Sequence, residues 1–194
     1  MPRFEERYAN NDAPWDIGRP QDEIVRLAEE GQIAGPVLDV GCGTGENALY
    51  LASRGHEAWG IDYEEIAIER ARKKSQDRGI AVEFITMSAL EMETLGRTFD
   101  TVIDSGLYHS FSDEEKPTFV TSLASILKPG GRYFVLCFSE LETREGGPKR
   151  VTQDEIRQMF SDGWRVDSIE ATHFAANLPG GEQRCAWLAS LTRE

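Results

Sequence analysis

The chain has 194 residues, long enough to bury one core and too short for two domains of ordinary size. Hydrophobic residues make up 40% of it with no apolar run of 18 or more, and the first residues carry no apolar signal region; the expectation is a soluble, cytoplasmic protein with no membrane partner. A formal net charge of −13 works against nucleic acid, whose affinity comes from Lys and Arg on phosphates, and the three cysteines, Cys42, Cys137 and Cys185, form no CxxC pair and suit reduced thiols.

The first twenty residues are polar and turn-rich, with no helix expected before residue 21, and close on Pro14-Trp15-Asp16-Ile17-Gly18-Arg19-Pro20-Gln21. They read as an N-terminal segment lying over a single domain at 21–194, either as an arm packed on the sheet edge or as a lid carrying Trp15 over a ligand. A helix over 21–30 turns Ile24, Leu27 and Ala28 inward and stops at Gly31. Val37-Leu38-Asp39-Val40 then reads as a buried strand, and Gly41, Gly43 and Gly45 let the chain turn tightly and approach a ligand before a helix over 46–54.

Ala58-Trp59-Gly60-Ile61 is the second strand, ending on Asp62 at the offset where a doubly wound sheet places an acid against ribose hydroxyls. A helix over 63–78, strand three at 82–85 and strand four at 99–104 continue the alternation, so the sheet is parallel. The cationic run Arg70-Ala71-Arg72-Lys73-Lys74 falls on the second crossover helix and reads as a solvated face. Residues 113–127 form an amphipathic helix that Lys128-Pro129-Gly130-Gly131 breaks before strand five at 133–138. Residues 140–149 look like a linker, and Thr152-Gln153-Asp154-Glu155 is a capping box. The runs 164–171 and 184–191 are separated by too few residues, including Asn177-Leu178-Pro179-Gly180-Gly181, for a crossover helix, so they pair antiparallel. The expected fold is α/β and Rossmann-like, a seven-stranded mostly parallel sheet with the last strand antiparallel and helices on both faces.

The glycine spacing, Gly-x-Gly-x-Gly, is shorter than the pattern that seats a pyrophosphate on a helix N-terminus. With its preceding acid, Asp39-Val40-Gly41-Cys42-Gly43-Thr44-Gly45 resembles the first motif of the class I S-adenosylmethionine-dependent methyltransferases, and Lys128-Pro129-Gly130-Gly131 resembles a further hallmark of that family. The resemblance implies S-adenosyl-L-methionine as cofactor, the glycine loop beneath its amino-acid part, Asp39 toward its ammonium and Asp62 on its ribose. Where many relatives have an adenine-binding Asp after strand three, this chain has Ser88, leaving the Ser88 hydroxyl or the Ala89 N–H for the adenine. The stretch 14–21 together with Asp104-Ser105-Gly106-Leu107-Tyr108-His109 resembles the small-molecule branch, which includes thiopurine, thiol, halide and heterocycle methyltransferases. No Asn-Pro-Pro-Tyr-like tetrapeptide and no catalytic Pro-Cys pair occurs.

Ligands of open parallel sheets bind beyond the carboxyl ends of the strands. That rule gathers Trp15, Asp39, Gly41, Cys42, Gly43, Thr44, Gly45, Asp62, Tyr63, Ser88, Ala89, Leu90, Asp104, Ser105 and Gly106 as cofactor-site candidates. Cys42 reads as a small packing residue. Tyr108, Phe111 and Phe138 would supply walls to a flat methyl acceptor, and His109 is the candidate general base or a hydrogen-bonded residue of the pocket wall. The histidines show no metal-ligand spacing, so no metal is expected. The expected activity is methylation of a sulfur or nitrogen, less readily an oxygen, of a small aromatic or heterocyclic molecule by a monomer or homodimer. Three rivals stay open: a non-catalytic adenosylmethionine-binding module, an NAD-type oxidoreductase on the same fold, and a macromolecular methyltransferase with a partner subunit.

Overall fold

A computed structural model describes residues 4–178 and 183–194; Pro179, Gly180 and Gly181 of the expected turn lie outside the described residues. The elements run α1 (Phe4–Ala9), α2 (Asp22–Glu29), β1 (Val37–Val40), α3 (Glu46–Ser53), β2 (Ala58–Asp62), α4 (Glu65–Arg78), β3 (Glu83–Thr86), β4 (Phe99–Ser105), α5 (Lys116–Ile126), β5 (Leu127–Phe138), α6 (Gln153–Met159), β6 (Trp164–Phe174) and β7 (Arg184–Arg193). The seven strands form one sheet in the order β3-β2-β1-β4-β5-β7-β6. The pairs from β3 through β5 are parallel and β7 is antiparallel to both its neighbours. Strand order therefore reverses between β1 and β4, which opens a crevice at their carboxyl ends.

Successive side chains of a strand point to opposite faces, and β5 shows how that divides the core. Tyr133, Val135 and Cys137 join the cluster holding Phe119 and Leu123 of α5 with Ile156 of α6. Phe134, Leu136 and Phe138 join the other face, with Ile24 and Leu27 of α2 and Leu51 of α3. A smaller cluster packs Ala48 and Leu49 of α3 and Ile68 and Ala71 of α4 around Cys42 and Phe84.

Several boundaries differ from the sequence reading for local reasons. The N-terminal segment contains α1, whose Tyr8 is buried against Ala67 of α4, so the chain is helical before residue 21. Lys128-Pro129-Gly130-Gly131 lies within β5: the ladder pairs Phe99 with Leu127 and resumes at Thr101 with Arg132, and Gly130 takes up the bulge at φ +77°. A capping box precedes α5, with the Glu115 N–H donating to Ser112 Oγ and the Ser112 N–H to the Glu115 carboxylate at 2.8 Å. At α6 the Glu155 N–H donates to Thr152 Oγ1, but the Glu155 carboxylate turns to Lys116, so that box is half made. The stretch 140–149 is not a loose linker, because buried Glu142, paired with Arg144 of the same stretch, accepts the Cys185 N–H of β7.

Candidate functional site

The carboxyl ends of β1, β2 and β4 lie side by side, with Val40 opposite both Ile61 and Asp104. Beyond β1 the chain turns through Gly41, Gly43 and Gly45, all with φ in the left-handed region. Gly45 has no room for a side chain, since a Cβ there would sit 2.6 Å from the Phe84 ring, and one on Gly43 would meet the Tyr8 hydroxyl at 2.8 Å. Asp62 locks the turn: the Gly43 N–H donates to its Oδ2 at 2.8 Å and the Glu64 N–H to its Oδ1 at 2.9 Å. Burial raises the Asp62 pKa against these bonds.

Asp39 is the outlier. It is 1% exposed, and neither carboxylate oxygen has a hydrogen-bond partner among the described residues. A buried carboxylate without partners is unstable as an anion. Burial, with Asp104 and Asp62 nearby, pushes its pKa up to about 8 against the Ala48 N–H, which faces the carboxyl from outside good hydrogen-bond geometry. The group that answers such a carboxyl is a cation with N–H donors, which is what the ammonium end of an S-adenosylmethionine offers. The donor chemistry and the crowded glycine loop fit that cofactor.

The N-terminal segment reaches this loop through Trp15 and Asp16 and through Tyr8, which the sequence did not single out. Tyr8 accepts from the Trp15 indole N–H at 2.9 Å, and its hydroxyl lies over Gly43. Burial, with Asp62 close by, raises the Tyr8 pKa. The Thr44 hydroxyl donates to Asp16 at 2.9 Å and accepts from Lys74 at 2.6 Å, so its side chain serves the arm and α4. Gln21 bonds the main chain of Ala175 in both directions, and the Asn177 amide donates to Asp16 O. Trp15 is half-buried beside Phe4 and Tyr8. A Tyr seven residues before a Trp was the only sequence signal for this contact, and a short polar helix hid it.

Other candidates fall into place unevenly. Cys42 is buried with its thiol pKa raised by burial, consistent with packing. Ser88 accepts from the Leu90 N–H, which shapes the turn after β3, and Ala89 is buried while Leu90 is half-buried. Tyr63 is 75% exposed beside Asp62. The Leu107 and Tyr108 N–H groups and the Tyr133 hydroxyl all donate to Asp104, so its carboxylate holds the turn after β4. Burial pushes its pKa up to about 7. That turn carries half-buried Ser105 and Gly106.

The proposed substrate walls separate. Tyr108 is fully buried between Phe119 and Phe160 under α5 and α6, and Phe111 packs 4.9 Å from Phe119 on that same face. Phe138 lies on the opposite face, 5.0 Å from His109 and 5.5 Å from Phe174. The three aromatics do not line one wall, because Tyr108 and Phe138 belong to opposite layers of the core.

Of the two readings of His109, its surroundings favour the hydrogen-bonded residue of the pocket wall. His109 is 7% exposed, and its Nδ1 accepts the Phe138 N–H at 3.0 Å. Burial, then the charges of Arg150 and Lys116, push its pKa down to about 3. A ring this reluctant to take a proton, with one nitrogen committed to a backbone donor, is a poor general base. Lys116, also missed in the sequence, is 1% exposed, 2.5 Å from Glu155 and 5.1 Å from the Tyr108 ring. Among the described residues no cluster of His, Cys, Asp and Glu could hold a metal, and no helix is long and apolar enough to cross a membrane.

A family profile described as "Methyltransferase domain" matches residues 37–131. The chain is 38% identical over 180 residues to a 2-heptyl-1-hydroxyquinolin-4(1H)-one methyltransferase of Mycobacteroides abscessus, covering 89% of this chain and 79% of that protein. It is 30% identical to a probable thiol methyltransferase 2 of Arabidopsis thaliana, covering 97% of this chain and 85% of that one. A solved structure from work on the conversion of a disulfide bond into a thioacetal group during echinomycin biosynthesis superposes with a TM-score of 0.89 at 34% identity, covering 98% of this chain and 91% of that chain.

Proposed function

Given that the chain belongs to the class I S-adenosylmethionine-dependent methyltransferases and is an enzyme using that cofactor, we propose that it methylates a sulfur or nitrogen, less readily an oxygen, of a small aromatic or heterocyclic molecule. Heteroatom methylation of a small molecule fits both the fold and the relatives above. The observation that carries the reading is Asp39, a buried carboxyl with two free acceptors at the carboxyl end of β1, directly before the glycine turn.

In this reading Asp39 takes the ammonium, the main chain of Gly41, Cys42, Gly43, Thr44 and Gly45 underlies the amino-acid portion, and Asp62 holds the ribose. Tyr63, Ser88, Ala89 and Leu90 border the adenine. The bound cofactor supplies an activated methyl on a sulfonium. What remains for the protein is alignment and exclusion of water. The segment 1–20, with Tyr8 and Trp15 over the loop, acts as the lid of a domain at 21–194, its bonds to Thr44 and to Asn177 closing the crevice. Ser105 and Gly106 edge the acceptor site, with Phe138 as its aromatic wall. The protein works in the cytoplasm as a monomer or homodimer and takes neither nucleic acid nor membrane as partner, in keeping with its net charge of −13.

Calorimetry with adenosylmethionine, adenosylhomocysteine and NAD, followed by an adenosylhomocysteine-release assay against thiols, phenols and N-heterocycles, tests this. Binding of the first two with turnover on a thiol or heterocycle is expected. Binding without turnover on the whole panel would instead indicate a sensor module, and preference for NAD would sink the reading.

A further inference from the structure

His109 stands where β4 ends, and its surroundings define its chemistry. The Phe138 N–H can only donate, so the His109 Nδ1 that receives it at 3.0 Å bears no proton, and the neutral ring carries its hydrogen on Nε2. Phe138 and Phe174 rings stand 5.0 and 6.0 Å away, so the ring is held by packing as well as by that bond. Gly106, at φ +91°, packs closely beside the imidazole: a Cβ there would crowd Phe174 at 3.0 Å and touch His109 Cε1 at 3.6 Å. Among the described residues Nε2 has no hydrogen-bond partner, and it is not among the sealed polar atoms. The charged groups acting on the ring are both cations, Arg150 of the segment after β5 and Lys116 of α5; Arg150 sits 5.8 Å from the Phe138 ring centre.

Resting on the methyltransferase reading of this site, we infer that His109 is a fixed hydrogen-bond donor, not a base, and that the enzyme selects acceptors whose nucleophilic atom arrives already ionised: aryl thiolates and the anions of acidic N–H heteroaromatics first, acidic phenols less readily, to the exclusion of aliphatic alcohols. The Nε2–H holds a lone pair of the acceptor in place; Lys116 is neutralised by Glu155 and Asp113, which leaves Arg150 as the cation on that side. The step then balances without the protein taking a proton. A lone pair of the anion forms the bond to the methyl carbon while the carbon–sulfur bond breaks and its electrons go to sulfur, giving a neutral product and a neutral thioether. Cation and anion annihilate in a dry crevice, which favours the transition state over water.

Two measurements test this. Nitrogen-15 spectra of the protein alone should show His109 as the Nε2–H tautomer without titration from pH 5 to 9; an Nδ1–H ring, or titration near neutrality, overturns the inference whatever the enzyme turns over. In steady state with an acceptor series of graded acidity, the acidic limb of kcat/KM should move with the pKa of each acceptor. His109→Gln, which keeps a donor near Nε2, should lose about fivefold or less, whereas His109→Phe should lose about 10–100-fold, the worth of one hydrogen bond to a charged partner. An acidic limb fixed across the series with Gln and Phe equally inactive would mean a base, and full activity in both would mean no contact; either refutes the inference. Absence of turnover on every acceptor would fault the function itself, while the spectra still decide the tautomer.

Discussion

Replacing Asp39 with Asn should make the protein more stable and less able to bind its cofactor. In the folded state the Asp39 pKa is pushed up to about 8, against about 3.9 in an unfolded chain, so at pH 7 folding must take up a proton. Holding that proton roughly three pH units above the unfolded value costs about 4 kcal/mol, an upper figure because the denatured chain and a relaxing pocket soften it. Asn needs no proton, and its unpartnered amide is about as costly as a protonated carboxyl, so Asp39→Asn should gain about 1–4 kcal/mol and raise the Tm by about 3–12 °C at this chain length. The sign follows from a raised carboxyl: its contribution to stability is complete below pH 4 and is lost as pH climbs through about 8. The Tm difference between variant and wild type should therefore widen from pH 5 to pH 8. Asp104, with its own raised pKa of about 7, acts in the same direction in both proteins, and its charge is one of the causes of the Asp39 shift that the variant removes. Differential scanning fluorimetry with and without adenosylmethionine checks both halves, because the cofactor should shift the wild type and leave the variant unmoved. A variant Tm at or below wild type at pH 8, with the cofactor shift intact, would refute the account of Asp39.

Asp62→Ala removes the acceptors of the Gly43 and Glu64 N–H groups along with the ribose carboxylate, so calorimetry should show cofactor affinity weaker by about 1–3 kcal/mol. Affinity equal to wild type would take Asp62 out of the site. Asp16→Ala deletes the acceptor of the Thr44 hydroxyl and should free the segment 1–20, raising the cofactor off-rate in stopped flow and exposing that segment to limited proteolysis; unchanged rates and cleavage would leave the segment a passive arm. Lys116→Met leaves Glu155 without its buried partner and should cost about 1–3 kcal/mol in urea unfolding. Adding Glu155→Gln should recover most of that loss, and a purely additive double variant would show that the pair is not coupled.

The sequence by itself determined the alternation of strands and helices, the antiparallel close of the sheet and the glycine turn with its two acids. Those signals are local: apolar period, helix stops and a spacing of glycines depend on neighbours within a few residues. It also placed His109 and Asp104 at the strand-four end, where the structure has them. Their chemistry was beyond its reach, since an imidazole pKa near 3 and a hydrogen-bonded Asp104 depend on Phe138, Tyr133 and Arg150, all from distant parts of the chain. The same holds for Tyr8, whose value comes from meeting Gly43 thirty-five residues away, and for Tyr108 and Phe138, which tertiary packing sends to opposite faces of the sheet. A residue's type and position along the chain fix which groups can react; burial and partners set their protonation and direction, and these arise only when strands far apart in sequence lie side by side.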